Sequence, residues 1–200
     1  MNVIDDFHKL YCAAGSPTYW KGVQILKCPL DLWTYQEIIH DVKPDLIIEC
    51  GTYLGGSALY FTEISKARVI TIDCEYHGNR PKHPRLRYIL GSSVDESVLR
   101  EVRKEVEFAK TVLVILDSDH SKEHVLKELL TYQDFVTPGS YMVVEDTNLN
   151  GNPVFDNFGP GPMEALEEFL QSDNLFEVDK SREKFILTFN PKGYLKRKLA

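Results

Sequence analysis

The sequence contains only four cysteines in 200 residues, and no two of them form a Cys-x-x-Cys pair. Cys12, Cys28, Cys50 and Cys74 are scattered and follow no secretory segment, which disfavours a disulfide framework and a thiolate zinc site. Apolar runs long enough to span a membrane are also lacking, and the amino terminus has acids where a signal peptide has bases. These absences predict a cytoplasmic protein without a membrane partner.

An excess of positive charge is lacking as well. The chain carries 23 lysines and arginines against 30 aspartates and glutamates, which gives a formal net charge of -7. Because nucleic acids and anionic membranes bind basic surfaces, this balance argues against both as partners. The stretch from Lys192 to Lys198 is the local exception, and we interpret it as a solvated end. The oligomeric state stays open, with a homo-oligomer among the options.

Short apolar runs alternate with helical patterns along most of the chain, and 43% of its residues are hydrophobic. This content suits one domain with a full core. The alternation predicts an α/β fold of Rossmann-like type, with a mainly parallel sheet and helices on both faces. The predicted parallel strands are 46–50, 68–73, 86–90, 112–116 and 140–144. An antiparallel C-terminal hairpin is predicted from 176–179 and 184–190. Residues 1–44 are predicted to form an N-terminal helical cap segment, and residues 45–200 the main domain.

The stretch from Asp45 to Ser57 has the pattern of a strand, a glycine turn and the start of a helix, which is how α/β sheets build nucleotide-type sites. Its glycines do not follow the Gly-x-Gly-x-x-Gly spacing of dinucleotide sites. Glu49, near the strand end, would repel a phosphate. The pattern therefore favours a ligand with a cationic group and a ribose, which points to S-adenosylmethionine. A tight connection without any ligand is the alternative.

Two further turns extend this predicted site. The next strand ends in Asp73, at the place where nucleotide folds bind ribose hydroxyls. The third strand runs into Gly91, Ser92 and Ser93, whose hydroxyls and amides could contact an adenine. These serines could equally cap the helix predicted at 96–106, and the sequence leaves both interpretations open.

Carboxylates also follow the fourth and fifth strands, as Asp117 and the pair Glu145 and Asp146. The carboxyl ends of these strands should meet in one crevice, where several acids are costly without positive charge between them. Oxygen ligands without a thiolate suit a hard divalent cation, magnesium first, with manganese or calcium as other options. Asp119 could replace or supplement Asp117. The alternative is that these acids cap helices or face solvent.

His120 lies three residues after Asp117, where it could take a proton from a substrate hydroxyl near neutral pH. A metal pair of His120 and His124 would need a third ligand on the same side and is the weaker hypothesis. The other histidines are interpreted as surface residues: His8, His40, His77 and His83.

Three motifs together resemble the cephalosporin hydroxylase family, which includes rhamnosyl O-methyltransferases. They are Glu49-x-Gly-x-x-x-Gly-Gly-Ser, Asp117-Ser-Asp-His120 and Val143-Val-Glu145-Asp146-Thr. The resemblance implies a class I methyltransferase sheet that binds S-adenosylmethionine, with Asp73 on the ribose. It also implies magnesium bound by Asp117, Glu145 and Asp146, with His120 as the base. The residues predicted to bind the cofactor are Glu49, Gly51, Thr52, Tyr53, Gly55, Ser57, Asp73, Ser92, Ser93 and Asp117.

Hydroxylation is not predicted, because the chain shows no 2-His-1-carboxylate spacing and no flavin or haem motif. We therefore predict methyl transfer to a hydroxyl of a sugar or another small acceptor of natural-product type. Segments 147–162 and 20–33 are predicted to close over this acceptor. A metal-dependent hydrolase would need metal but no S-adenosylmethionine, and a nucleotide-binding module without catalysis would bind ligand without turnover.

Overall fold

The computed structural model describes residues 2–15, 17–172 and 175–199. The helices are α1 (Val3–Ala14), α2 (Pro29–Val42), α3 (Gly56–Ile64), α4 (Glu96–Val106), α5 (Lys122–Tyr132), α6 (Pro162–Ser172) and a short 3₁₀ helix (Lys180–Glu183). The strands are β1 (Thr18–Trp20), β2 (Val23–Ile25), β3 (Leu46–Cys50), β4 (Arg68–Asp73), β5 (Leu86–Leu90), β6 (Val112–Leu116), β7 (Tyr141–Val144), β8 (Phe176–Val178) and β9 (Tyr194–Arg197). None of the helices in these described ranges is long and apolar enough to cross a membrane.

The predicted α/β fold is confirmed. Within the described residues, seven strands form one sheet in the order β5-β4-β3-β6-β7-β9-β8, and β1 and β2 form a separate antiparallel hairpin. The first five strands of that order pair in parallel. Strands β4 and β5 extend the sheet on one side of β3, and β6 and β7 extend it on the other side. The strand order therefore reverses between β3 and β6. Open α/β sheets bind ligands at such a reversal, beyond the carboxyl ends of their strands.

Helices cover both faces of the sheet. Helices α4, α5 and α6 pack on one face through apolar side chains such as Val102, Leu129 and Phe169. Helices α2 and α3 pack on the other face, where Tyr35 and Phe61 are fully buried. All five residues of β6 are buried, as its unbroken apolar run predicts for a strand covered on both faces. Since α2 belongs to the predicted cap segment but lies in this core, the division at residue 44 stays a prediction.

The C-terminal hairpin exists, but its second strand is β9 and not the predicted segment 184–190. In that segment the backbone of Phe189 donates to Asp31 at 2.8 Å, and Thr188 is buried beside Tyr194. The segment therefore wraps around the start of α2 instead of pairing with the sheet. The alternation of apolar and polar residues in this segment is therefore compatible with packing against α2, and the pattern alone does not distinguish such packing from a strand.

The interpretation of residues 192–198 as a solvated end is wrong. Tyr194 and Leu195 are fully buried, and β9 pairs with β7 on one side and with β8 on the other. Arg197 donates from Nη1 to the carbonyl oxygens of Gln133 and Val136, at 2.9 and 2.5 Å. Lys196 and Arg197 therefore belong to a strand within the sheet.

Candidate active site

A cavity of about 610 Å³ opens beyond the carboxyl ends of the parallel strands. Most of the predicted site residues line it: Gly51, Thr52, Tyr53, Ser57, Asp73, Ser92, Ser93, Asp117, Asp119, His120 and Asp146. Three others, Glu49, Gly55 and Glu145, lie outside its lining. Its walls also include His124 and the stretch from Gln24 to Lys27, which lies within the predicted covering segment 20–33.

The turn after β3 needs its first glycine for packing. Gly51 has a φ of +96°, and a Cβ built there would lie 1.7 Å from the carbonyl oxygen of Asp117. The two strand ends therefore approach each other more closely than any side chain allows. Gly55 also has a positive φ, +78°, and precedes the first residue of α3. Gly51 lines the cavity and Gly55 lies just outside it, and their role in binding a cofactor stays a prediction.

The carboxylate of Asp73 joins two loops at the edge of the cavity. Its Oδ2 accepts hydrogen bonds from the backbone N–H of Thr52 at 3.2 Å and of Tyr53 at 2.8 Å. Arg80 donates to the same oxygen at 3.1 Å, and also to the carbonyl oxygen of Tyr53 at 2.8 Å. Asp73 is thus held at the predicted ribose position by the glycine turn itself.

Glu49 lies below the cavity floor. It is fully buried, accepts a hydrogen bond from Thr71 Oγ1 at 2.7 Å, and its Oε1 has no hydrogen-bond partner among the described residues. Burial raises the pKa of Glu49 to about 7, although the charge of Lys27 opposes this shift. Its predicted contact with a cofactor is untested, and its shortest hydrogen bond is to Thr71 of β4.

Asp117, His120 and Asp146 come together at one end of the cavity. Nε2 of His120 lies 3.3 Å from Oδ1 of Asp117 and 3.2 Å from Oδ2 of Asp146. One ligand atom from each of these three residues lies within 4.8 Å of the others, and no other such group occurs in the described part of the chain. The two carboxylates suit a hard divalent cation such as Mg²⁺ or Mn²⁺, whereas an imidazole ligand is more typical of softer metals, so His120 is free for another role beside such an ion.

Electrostatics in this cluster change the proton affinity of its members. Burial lowers the pKa of His120, but the neighbouring carboxylates of Asp117 and Asp146 outweigh it and raise that pKa to about 9. Burial and the nearby charge of Asp117 raise the pKa of Asp146 to about 6. Without a metal, His120 therefore carries a proton at neutral pH and supplies positive charge between the two acids.

Glu145 is separated from this cluster by its own partners. Its Oε1 accepts from Nζ of Lys27 at 2.5 Å and from the hydroxyl of Tyr35 at 2.6 Å. Burial raises the pKa of Glu145 to about 8, with a further contribution from the charge of Asp117. The structure thus groups His120, rather than Glu145, with Asp117 and Asp146. The predicted role of Glu145 as a metal ligand stays untested.

The serine turn after β5 does not begin the next helix. The residue before α4 is Asp95, so the interpretation of Ser92 and Ser93 as helix caps is wrong. Ser93 instead donates to Oε1 of Glu128 at 2.5 Å, and its Oγ lies 3.0 Å from Nε2 of His124. Ser118 donates to the same oxygen of Glu128 at 2.7 Å. A fully buried carboxylate therefore fixes two hydroxyls in the cavity wall.

Helix α1 lies beside the acidic end of the cavity. His8, interpreted above as a surface residue, is only 4% exposed, so that interpretation is wrong. Its Nε2 lies 3.0 Å from Nδ2 of Asn148, two residues after Asp146, and its ring stacks on Phe189. Burial lowers the pKa of His8, which favours the neutral ring in this contact.

Three residues of the site carry little or no signal in the sequence: Lys27, Glu128 and His124. Lys27 lies far from the strand ends in sequence, between a short hairpin and α2, and no local motif marks it. His124 and Glu128 are spaced i and i+4 on α5, but this spacing does not reveal the serine that they share. The one signal in the sequence is that Glu128 is a charged residue on the apolar face of α5, which indicates a buried and paired carboxylate.

Comparisons with known proteins agree with this architecture. A model of the Rhamnosyl O-methyltransferase/CmcI family matches residues 14–198. The rhamnosyl O-methyltransferase of Mycobacterium bovis (strain BCG / Pasteur 1173P2) is 36% identical over 208 residues, covering 98% of this chain and 85% of the relative.

Two solved structures of CmcI share the fold. An apo structure superposes with a TM-score of 0.70 at 22% identity, covering 92% of this chain and 78% of the other. A structure with Mg and SAM gives a TM-score of 0.67 at 20% identity, covering 91% and 77%. This likeness confirms the predicted methyltransferase type of sheet. From the family match and the identity over nearly its whole length, the chain belongs to the Rhamnosyl O-methyltransferase/CmcI family.

Proposed function

We propose that this protein is an S-adenosylmethionine-dependent O-methyltransferase that uses a divalent metal ion and acts on a hydroxyl of a sugar or a similar small acceptor. The observation that carries the proposal is the cluster of Asp117, His120 and Asp146 at one end of a cavity that also contains Asp73 and the serine turn. Relatives named rhamnosyl O-methyltransferase support a sugar hydroxyl as the acceptor.

The two ends of the cavity are lined by side chains of different chemistry. Asp73 and Ser93 lie at the ends of β4 and β5, where a nucleoside would find a carboxylate and hydroxyls for its ribose and base. S-adenosylmethionine bound there would supply an electrophilic methyl group on a sulfonium. The CmcI structure with Mg and SAM supports this assignment through its similar fold. The remaining predicted contacts, including Thr52, Tyr53 and Ser92, belong to the same proposal.

At the other end, Asp117 and Asp146 would hold magnesium, with Glu145 as the third proposed ligand. A divalent cation held there would add positive charge beside the acceptor hydroxyl and beside His120, which lowers the pKa of both. His120 would then take the acceptor proton, because its Nε2 already lies within 3.3 Å of the two carboxylates. Segment 20–33 would cover the acceptor, since Gln24 to Lys27 already form part of the cavity wall. The same role is proposed for segment 147–162, which follows Asp146 directly.

Calorimetry tests the proposal directly. We expect S-adenosylmethionine to bind the protein without metal, and magnesium to affect binding only once a hydroxylated acceptor such as a rhamnoside is present. Methyl transfer to that acceptor should stop when the metal is chelated. If metal bound but S-adenosylmethionine did not, the acids would belong to a hydrolase instead. If ligand bound without any turnover over a panel of glycosides, a binding module would be the better account.

Replacing Glu128 by glutamine is expected to weaken binding of S-adenosylhomocysteine about tenfold. The amide lacks the charge that accepts hydrogen bonds from Ser93 and Ser118, and hydrogen bonds to charged groups contribute about 1.5–3 kcal/mol. Calorimetry of the variant measures this change. Glu123→Gln, an exposed position on the same helix, is the matched control and should bind like the parent protein. Equal affinity in both variants would remove the serine turn from the cofactor site.

A cytoplasmic location and a homo-oligomeric state remain predictions. Gel filtration with light scattering would determine the second. The residues that line the proposed site all belong to one chain.

A further inference from the structure

Lys27 is a buried cation that contacts two of the three strand-end acids. Its side chain is 2% exposed, and its Nζ lies 2.5 Å from Oδ2 of Asp117 and 2.5 Å from Oε1 of Glu145. Tyr35 donates to the same oxygen of Glu145. Lysine is almost never fully buried unless it is paired, so the two carboxylates account for the burial of Lys27.

The charge count explains why a cation lies there. Asp117, Glu145 and Asp146 follow neighbouring parallel strands, and Glu145 is only 4% exposed. Ionised carboxylates in such a place are costly unless positive groups neutralise them. Lys27 contacts the first two, and His120 contacts the first and third. The acidic cluster therefore contains its own counter-charges in the absence of any ion.

Lys27 already contacts one oxygen of each of two carboxylates that the proposed metal would bind. A cation held by Asp117 and Glu145 would bring two positive charges close to the ammonium that now contacts both residues. Like charges at such a distance repel strongly inside a protein. The ammonium and the ion cannot both keep their full contacts with these carboxylates.

We propose that Lys27 is an internal counter-ion that competes with the divalent metal for Asp117 and Glu145. In this role Lys27 is a positioning residue, because it acts on the acids and not on a substrate. It contacts both acids when no ion is bound and weakens the affinity of the cluster for the ion. The inference rests on the metal site of the proposed function, but its test does not depend on methyl transfer.

The experiment measures Mn²⁺ binding to the metal-free full chain by calorimetry. Lys27→Met, which keeps the side-chain length and removes the charge, should bind Mn²⁺ at least about tenfold more tightly than the parent protein. Adding Glu145→Gln to this variant should cancel most of the gain, because the freed carboxylate is its source. Lys104→Met removes the same charge from an exposed position of α4 and should leave the affinity unchanged.

Equal or weaker Mn²⁺ binding by a folded Lys27→Met variant would overturn the proposal while leaving the metal site of the parent protein intact. Binding by this variant but not by the parent would support the proposal and would instead contradict metal dependence in the natural chain. A variant that folds only with Mn²⁺ would also support it, since the ion then replaces the missing ammonium. A variant that stays unfolded at saturating Mn²⁺, or two chains that both fail to bind, would overturn it.

Discussion

Asp146→Asn is expected to reduce methyl transfer about 100-fold or more while leaving the fold intact. The amide keeps the shape of the side chain but removes an anion from the proposed metal site, where a bound cation contributes several kcal/mol to the transition state. The fold should tolerate the change for two reasons. Residue 146 has a φ of +55°, which asparagine adopts readily, and burial already disfavours the ionised carboxylate.

Two measurements check this result. Initial rates with a methylated glycoside as product give the loss of activity, and calorimetry gives the loss of Mg²⁺ or Mn²⁺ affinity. Asp119→Asn is the matched control. Asp119 also lines the cavity, but it is exposed and its Oδ1 accepts from the backbone N–H of Ser121 at 2.7 Å. An Asp146 variant as active as the parent protein would rule out the metal role of Asp146.

Gly51→Ala is expected to destabilise the protein by more than about 3 kcal/mol or to prevent folding. The added methyl group would lie 1.7 Å from the carbonyl oxygen of Asp117, and the positive φ of Gly51 disfavours any side chain. The backbone at the ends of β3 and β6 would have to separate. Any folded fraction should therefore also bind Mn²⁺ less tightly, because Asp117 moves with that backbone.

Urea unfolding followed by circular dichroism measures the change in free energy. Gly22→Ala is a control for backbone strain alone, since Gly22 has a φ of +83° but no atom within 4 Å of the added Cβ, and it should cost about 1 kcal/mol. Gly78→Ala has neither strain nor contact and should stay within about 0.5 kcal/mol of the parent protein. A Gly51 variant as stable as the Gly22 variant would show that the two strand ends can separate at little cost.

The sheet could be predicted from the sequence because its signals are local. Strand β6 is an unbroken apolar run, and the acids that follow β4, β6 and β7 stand directly at the strand ends. Parallel pairing then brings Asp117 and Asp146 to one edge without further information. For this reason the acidic cluster follows from the order of strands and acids along the chain.

Contacts between distant parts of the chain could not be predicted in the same way. Lys27 is separated from Glu145 by 118 positions, and its neighbours in sequence resemble those of any residue before a helix. His8 is buried only because α1 packs on Phe189 and Asn148, near the other end of the chain. Segment 184–190 has the alternation of a strand but does not pair with the sheet. Its backbone at Phe189 donates instead to Asp31, which also accepts from Tyr194.

The insertion of β9 between β7 and β8 has a consequence for biosynthesis. On the ribosome, β7 and its acids emerge before the strand that completes the hydrogen bonds of β7. Until residues 194–197 are synthesised, β7 is an edge strand with unpaired backbone groups, and such edges can pair with other nascent chains. The edge of the sheet that carries Glu145 and Asp146 is therefore completed only once β9 has been synthesised.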